Sequence, residues 1–180
     1  MRDYPRVSWG DPRCEVHDAP GKGKGVYATA PIRQGEVVQI VGGAIVNGPQ
    51  LEAAMAAATD YVNTIQIDED LHLIMDLPRD ARSNICSMNH SCDSNIWMAD
   101  EITFIARKDI APGEEVTVDY ALFSTSPDPE TVLEAPCRCR SSFCRGRITG
   151  DDWQLLHVQE RYKGHFAPFI NRRIARIARH

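Results

Sequence analysis

Three short stretches of this chain concentrate the side chains that can do chemistry. Met88-Asn89-His90-Ser91-Cys92-Asp93-Ser94-Asn95 packs two amides, an imidazole and a thiol into eight residues. Gly113-Glu114-Glu115-Val116-Thr117-Val118-Asp119-Tyr120 ends on a phenol that can donate or accept a hydrogen bond. Cys137-x-Cys139-x4-Cys144 sets three thiols within eight residues. Tetrahedral zinc takes four such ligands, so a fourth would come from elsewhere; the alternative is a set of free thiols in a loop. A further stretch, Gly21-Lys22-Gly23-Lys24-Gly25-Val26, carries alternate glycines, which let a backbone turn tightly and approach a ligand with no Cβ in the way. With no strand expected before it and no helix after it, it is not a dinucleotide fingerprint. Alone it reads as a plain turn.

In this order and at these distances, the stretches resemble the SET-domain protein-lysine methyltransferases with a post-SET zinc cluster, over roughly residues 20 to 150. The resemblance implies S-adenosylmethionine and zinc as cofactors. It places Gly23 and Gly25 in the S-adenosylmethionine pocket. Asn89 and His90 would contact the cofactor's methionine part and support a knot-like crossing of two segments, in a binding rather than an acid–base role. Cys92, the cysteine after Asn-His-Ser, would complete the zinc cluster with Cys137, Cys139 and Cys144. Trp153 would lie near the adenine, with Ile148 competing for that place and a plain core or surface tryptophan as the other reading. Cys14 and Cys86 have no part in the set and read as buried or idle thiols.

Tyr120 is the expected catalytic residue. Methyl transfer from a sulfonium to an amine is an in-line displacement that needs a neutral amine, and free lysine titrates at about 10.4. Desolvation beside a positive sulfonium lowers that value, and the enzyme then holds donor and acceptor in line. A tyrosine hydroxyl can orient the methyl through weak C–H···O contacts. The resemblance lines the lysine channel with Ile40, Tyr61 and Val118. Ile40 stands where the family often has tyrosine, and residues 63–68 replace an aromatic-led segment, so Tyr61 and Tyr27 are the candidates to supply rings. Val118, two residues before Tyr120, sits where the family gates the number of methyl groups; its small side chain implies di- or trimethylation. Ser94 replaces the usual proline before Asn95, a change expected to matter little. The function implied is methyl transfer to a protein lysine. The competing reading is a non-catalytic SET-like zinc module that binds lysine-rich partners.

The elements that must position these residues are short. Val37–Val41 is a β-branched run, Ala44–Val46 resumes it after Gly42-Gly43, and Thr64–Asp68 with Leu71–Met75 reads as a hairpin. Glu101–Arg107 and Glu115–Asp119 are further strands. Asn47-Gly48-Pro49 starts a helix through the alanine-rich Leu51–Ala58. The fold class is mostly β (α+β): small sheets with a pseudoknot, one inserted helix, a zinc-bound post-SET segment and a C-terminal helical extension. The expected divisions are an irregular lead-in (1–19, with a strand at Arg13–His17), a SET domain (20–123), a linker and zinc segment (124–150) and the extension (151–180).

Composition agrees with a folded chain, at 43% hydrophobic and 25% charged residues. No apolar run approaches the roughly 18 residues of a membrane span, and the N-terminus lacks a signal-peptide h-region. The expectation is a cytoplasmic protein with no membrane partner, where reducing conditions favour metal or free thiols over disulfides. Net charge is −5, but residues 170–180 carry Arg172, Arg173, Arg176 and Arg179 and no acid, leaving −9 on the rest (−5 − 4). An acidic body suits a basic, lysine-bearing peptide partner. Ile170, Ile174 and Ile177 form a helical stripe in that basic tail. The plain reading is a helix packed on the body; nucleic acid would be reached only through those arginines.

Overall fold

The computed structural model describes residues 4–59, 62–76, 87–125 and 135–178. Small antiparallel sheets dominate it. The first has the order β1-β4-β10-β9, formed by Trp9–Gly10 (β1), Val37–Ile40 (β4), Thr103–Ala106 (β10) and Ile96–Met98 (β9). The second runs β2-β3-β11-β8, from Cys14–Ala19 (β2), Gly23–Ala28 (β3), Glu115–Val118 (β11) and Asn89–His90 (β8). Gly43–Val46 (β5), Leu71–Met75 (β7) and Thr64–Asp68 (β6) make a third, ordered β5-β7-β6. Ala135–Pro136 (β12) and Arg147–Ile148 (β13) pair beside the cysteines.

The inserted helix α1 (Gly48–Ala57) begins where its capping chemistry says it should. Asn47 Oδ1 accepts the Gln50 N–H at 3.0 Å and Gln50 Oε1 accepts the Asn47 N–H at 3.0 Å, a reciprocal box that satisfies two otherwise orphaned donors. The hairpin β6–β7 and the strands β4 and β11 fall where the β-branched runs put them. β-Branched and aliphatic side chains from these strands, Val38, Ile65, Leu73 and Val116 among them, fill the central core with Phe104 of β10.

Two expectations need correction. The described part of the lead-in, from residue 4, is more regular than expected: the strand expected at Arg13–His17 is there as β2, paired with β3 over six residues, Cys14↔Ala28 to Ala19↔Gly23, and β1 also edges the first sheet. The glycine-rich stretch is therefore preceded by a strand and runs into another, closing a β2–β3 hairpin whose turn holds Gly21 at φ 75° and enters β3 at Gly23, φ 82°. The strand was obscured because its polar, glycine-rich residues lack apolar alternation. A second strand, rather than a helix, follows the turn, so the case against a dinucleotide site stands.

The C-terminal extension holds a 3-10 turn (Asp152–Gln154) and the helices α2 (Leu156–Arg161) and α3 (Pro168–Ile177). It is part of the main core. Tyr162, Phe166, Phe169 and Ile170 are buried among the sheet residues, and the Ala167 N–H donates to the Leu122 carbonyl at 2.7 Å. His165 stacks on Trp97 of β9 with centroids 3.5 Å apart. The isoleucine stripe packs as expected at Ile170 and Ile174 and then runs off the body, leaving Ile177 54% exposed. Arg172 and Arg173 pair with Asp68 and Glu69 at the tip of the β6–β7 hairpin. Tyr61, Cys86, residues 79–85 and the linker positions 126–134 lie outside the described residues. No helix among the described residues is long and apolar enough to cross a membrane.

If the extension is core, truncating it from within should be costly. Phe169→Ala should lower stability by about 3–5 kcal/mol, measured by denaturant unfolding, whereas Ile177→Ala should change it by under about 0.5 kcal/mol.

Candidate active site and four-cysteine cluster

The parallel pairing of β8 with β11 decides the site's geometry. Asn89 lies opposite Thr117 and His90 opposite Val118, so the two chemistry-bearing stretches run side by side. Tyr120 follows at the start of a 3-10 turn (Tyr120–Leu122), capped by the Asp119 carboxylate, which accepts the Ala121 N–H at 3.1 Å. The half-buried Tyr120 donates its hydroxyl hydrogen to the Met88 carbonyl at 3.1 Å. Its ring stands edge-on to His90 at 5.2 Å and 5.9 Å from Phe123, which meets Phe104 at 5.8 Å. Phe123 and Phe104 are thus the rings that extend from Tyr120, while Tyr61, expected with Tyr27 to supply rings, lies outside the described residues. Ile40 is half-buried, flanked by Trp9 and Thr103 on neighbouring strands, and Val118 is buried.

His90 is committed to the scaffold. Nδ1 accepts the Tyr120 N–H at 3.2 Å, so the proton of a neutral ring sits on Nε2, 3.2 Å from the Cys92 sulfur. Burial pushes the His90 pKa down to about 4 against the pull of Asp119. The 3.6 Å approach of His90 to Asp119 is therefore no charged pair at neutral pH.

Around the glycine hairpin, Asn89 Nδ2 donates to the Lys24 carbonyl at 2.8 Å and to Glu115 Oε1 at 2.7 Å, while Lys22 pairs with the same carboxylate. Both Nδ2 hydrogens are spent, so what Asn89 can still offer a ligand is its Oδ1 acceptor. A Cβ at Gly25 would meet Glu115 Oε1 at 2.7 Å and Asn89 Nδ2 at 3.0 Å. Glycine there lets these side chains lie against the strand. Trp153 is buried in the core under Arg173, and its indole N–H finds no acceptor among the described residues.

Cys92, Cys137, Cys139 and Cys144 converge, their four sulfurs all within 4.8 Å of one another. A tetrahedron with Zn–S bonds of about 2.3 Å needs sulfurs about 3.8 Å apart, and Cys92 and Cys137 stand at 3.7 Å. The N–H groups of Arg145 and Gly146 point at the sulfurs of Cys92 and Cys144 at 3.3 and 3.4 Å. Burial raises the Cys92 thiol to about 11 and pushes Cys137 up, whereas Cys139, against burial, is lowered to about 6 by hydrogen bonds, those of Ser141 foremost. Four thiolates together would therefore need a cation among them, and this donor set suits a soft divalent metal. Cys14 is buried apart from the cluster, its thiol raised to about 11 by burial.

One group went unread in the sequence. Arg145 lies behind the cluster, its guanidinium held by both Asp119 oxygens at 2.7 Å and by Asp152 at 2.9 Å. Burial opposes its charge, but the two carboxylates outweigh burial and raise its pKa. The only sequence signal was an arginine following the last cysteine, and nothing local names its partners.

Similarity to known proteins agrees with this arrangement. The SET domain family model matches residues 23–121. Among curated proteins, histone-lysine N-methyltransferase Set2 of Drosophila melanogaster is 28% identical over 146 residues and ash1 of the same species 31% over 151 residues. Each alignment covers 77% of this chain, which spans 6% of the length of either relative. Su(var)3-9 is 29% identical over 147 residues, covering 71% of this chain and 23% of that protein. The methyltransferase domain of human histone-lysine N-methyltransferase SETMAR superposes with a TM-score of 0.55 at 22% identity, over 74% of this chain and 56% of that one, a likeness of fold. With the family model matching more than half of its residues, this chain belongs to the SET-domain family.

Proposed function

We propose that this chain transfers methyl groups from S-adenosylmethionine to the side-chain amine of a protein lysine. The observation that carries the reading is the seating of Tyr120: its hydroxyl hydrogen is spent on the Met88 carbonyl. A phenol oxygen accepts as well as donates, and it can take the weak C–H···O contacts of a reacting methyl. S-adenosylmethionine, when bound, supplies the methyl on a sulfonium that departs as a neutral thioether. Gly23, Gly25 and Asn89 would hold its amino-acid end, Asn89 through Oδ1, with the main chain at His90 alongside. Trp153, whose buried N–H has no acceptor among the described residues, would bound the adenine side. Tyr120, Phe123 and Phe104 form an aromatic row beside Met88 that would exclude water from the incoming amine, favouring its neutral form. Cys92, Cys137, Cys139 and Cys144 would hold one zinc ion that pins the cysteine loop to the Asn-His-Ser-Cys loop. The acceptor would be a basic peptide, and the protein cytoplasmic.

The relatives' names make core histones the first substrates to try. Incubation with labelled S-adenosylmethionine and histones or a mixed protein extract should give labelled protein bands; cofactor binding with no label in any protein would favour the binding-module reading. Tyr120→Phe should lower kcat by at least about a hundredfold while cofactor affinity by calorimetry changes less than about threefold, since the hydroxyl acts in the transition state. Freshly purified protein should carry about one zinc per chain by elemental analysis, and Cys139→Ser should lose it with weakened cofactor binding. With Val118 at the gate, mass spectrometry of a methylated peptide should show di- or trimethyl-lysine. A product that stays monomethylated with excess cofactor would mean that another side chain, Phe123 foremost, closes the space.

A further inference from the structure

Arg161 and Tyr162 close the helix α2, outside the matched family segment, and both reach the loop that bears Cys92. Arg161 Nη1 donates to the Cys92 carbonyl at 2.6 Å, and the Tyr162 hydroxyl donates to the same oxygen at 3.3 Å. Both lone pairs of that buried carbonyl are thus taken. The Tyr162 oxygen in turn accepts the Ser94 N–H at 3.3 Å and lies 3.2 Å from the Ser94 hydroxyl. Arg107 fixes the far side, donating to the Ser94 carbonyl at 2.7 Å and lying over the Tyr162 ring. Proline at position 94 would remove the N–H that Tyr162 uses. Ser94 is thus held in this arrangement through both its N–H and its hydroxyl.

Arg161 also spans to the other side of the cluster. Its guanidinium lies 3.7 Å from the centre of the Phe143 ring, on the loop between Cys139 and Cys144. That loop has little core of its own: Phe143 is 51% exposed and Cys144 is exposed. One cation therefore grips both halves of a four-sulfur site, the backbone of the buried ligand residue and an aromatic ring on the outer loop. A charge-assisted bond and a stacked guanidinium both fix direction as well as distance. The positive charge also offsets the negative charge of four thiolates around a divalent ion.

We propose that Arg161 and Tyr162 are positioning residues for the metal site, so that the C-terminal extension sets how tightly the metal is retained. The inference rests on the reading of the four cysteines as metal ligands. Partners of this kind, one shell out from the ligands, change metal affinity by about 10–100-fold.

The test is the rate at which a chromogenic chelator strips zinc from the 180-residue chain, with thermal unfolding at saturating zinc as the control for folding. Arg161→Ala should speed release at least about tenfold, Arg161→Lys less, because lysine keeps the charge but not the planar stack. Phe143→Ala, an exposed position where folding should be undisturbed, should also speed release, and the double variant should be no faster than Arg161→Ala alone. Release at the wild-type rate in both Arg161→Ala and Phe143→Ala would overturn the proposal, as would effects that multiply independently in the double variant. If Arg161→Ala does not fold, the Phe143→Ala rate decides. Wild-type protein without metal would overturn the metal reading and this inference with it, whereas metal-loaded wild type with unaffected variants would overturn the inference alone.

Discussion

The arrangement turns on a buried cation. Arg145 is nearly out of solvent, as are Asp119 and Asp152, with side-chain exposures of 7%, 0% and 6%. Each of the three belongs to a different part of the chain: the strand end before Tyr120, the cysteine loop, and the C-terminal extension. Placing one guanidinium between two carboxylates in low dielectric is not cheap in desolvation, and such groups are often no more stabilising than apolar replacements. A carboxylate left without its guanidinium would cost about 3–5 kcal/mol, which penalises any arrangement that separates the three parts.

The consequences reach Tyr120 in two bonds. Asp119 Oδ1 binds Arg145 and also caps the turn that begins at Tyr120. Arg145 in turn presents its N–H to the Cys92 sulfur. His90, wedged between the Tyr120 N–H and that same sulfur, completes the circuit. The cysteine cluster and the tyrosine are thus neighbours linked by hydrogen bonds, although Cys137 lies 17 positions after Tyr120 in the chain (137 − 120). Disturbance of the sulfurs would be felt at the phenol through His90 and Asp119. This is the physical reason a structural metal and a methyl-transfer site would belong to one unit.

Much of this was legible in the sequence where the signal is local. Thr64–Asp68 and Leu71–Met75 form the hairpin that their apolar residues suggested, and Asn47 with Gln50 builds the helix start. The cysteine spacing pointed to a cluster, and the four sulfurs do meet. What escaped depends on partners far along the chain. β3 carries Gly23, Lys24 and Gly25, which have poor strand propensity, and it is a strand because β2 and β11 flank it. Arg145 and Asp152 look like ordinary surface charges until the fold brings them to Asp119. Ser94 looked like a neutral loss of stiffness because its partner, Tyr162, stands 68 residues away.

The basic tail shows the same dependence with charge. From composition, four arginines after residue 170 could have been a free arm for acidic partners. In the fold, Phe169 and Ile170 anchor α3 in the core, and that orientation turns Arg172 and Arg173 onto Asp68 and Glu69. These pairs are partly exposed, so each contributes little to stability and weakens with salt. Their value is in placement: they neutralise the acidic tip of the β6–β7 hairpin and tie it to the extension that also grips Cys92. Of the four arginines, Arg172 and Arg173 are thereby committed within the chain, while Arg176 stays exposed on the described helix. The acidic character of the body is thus partly balanced from within by the tail, and any attraction for a basic substrate must come from the carboxylates left unpaired elsewhere.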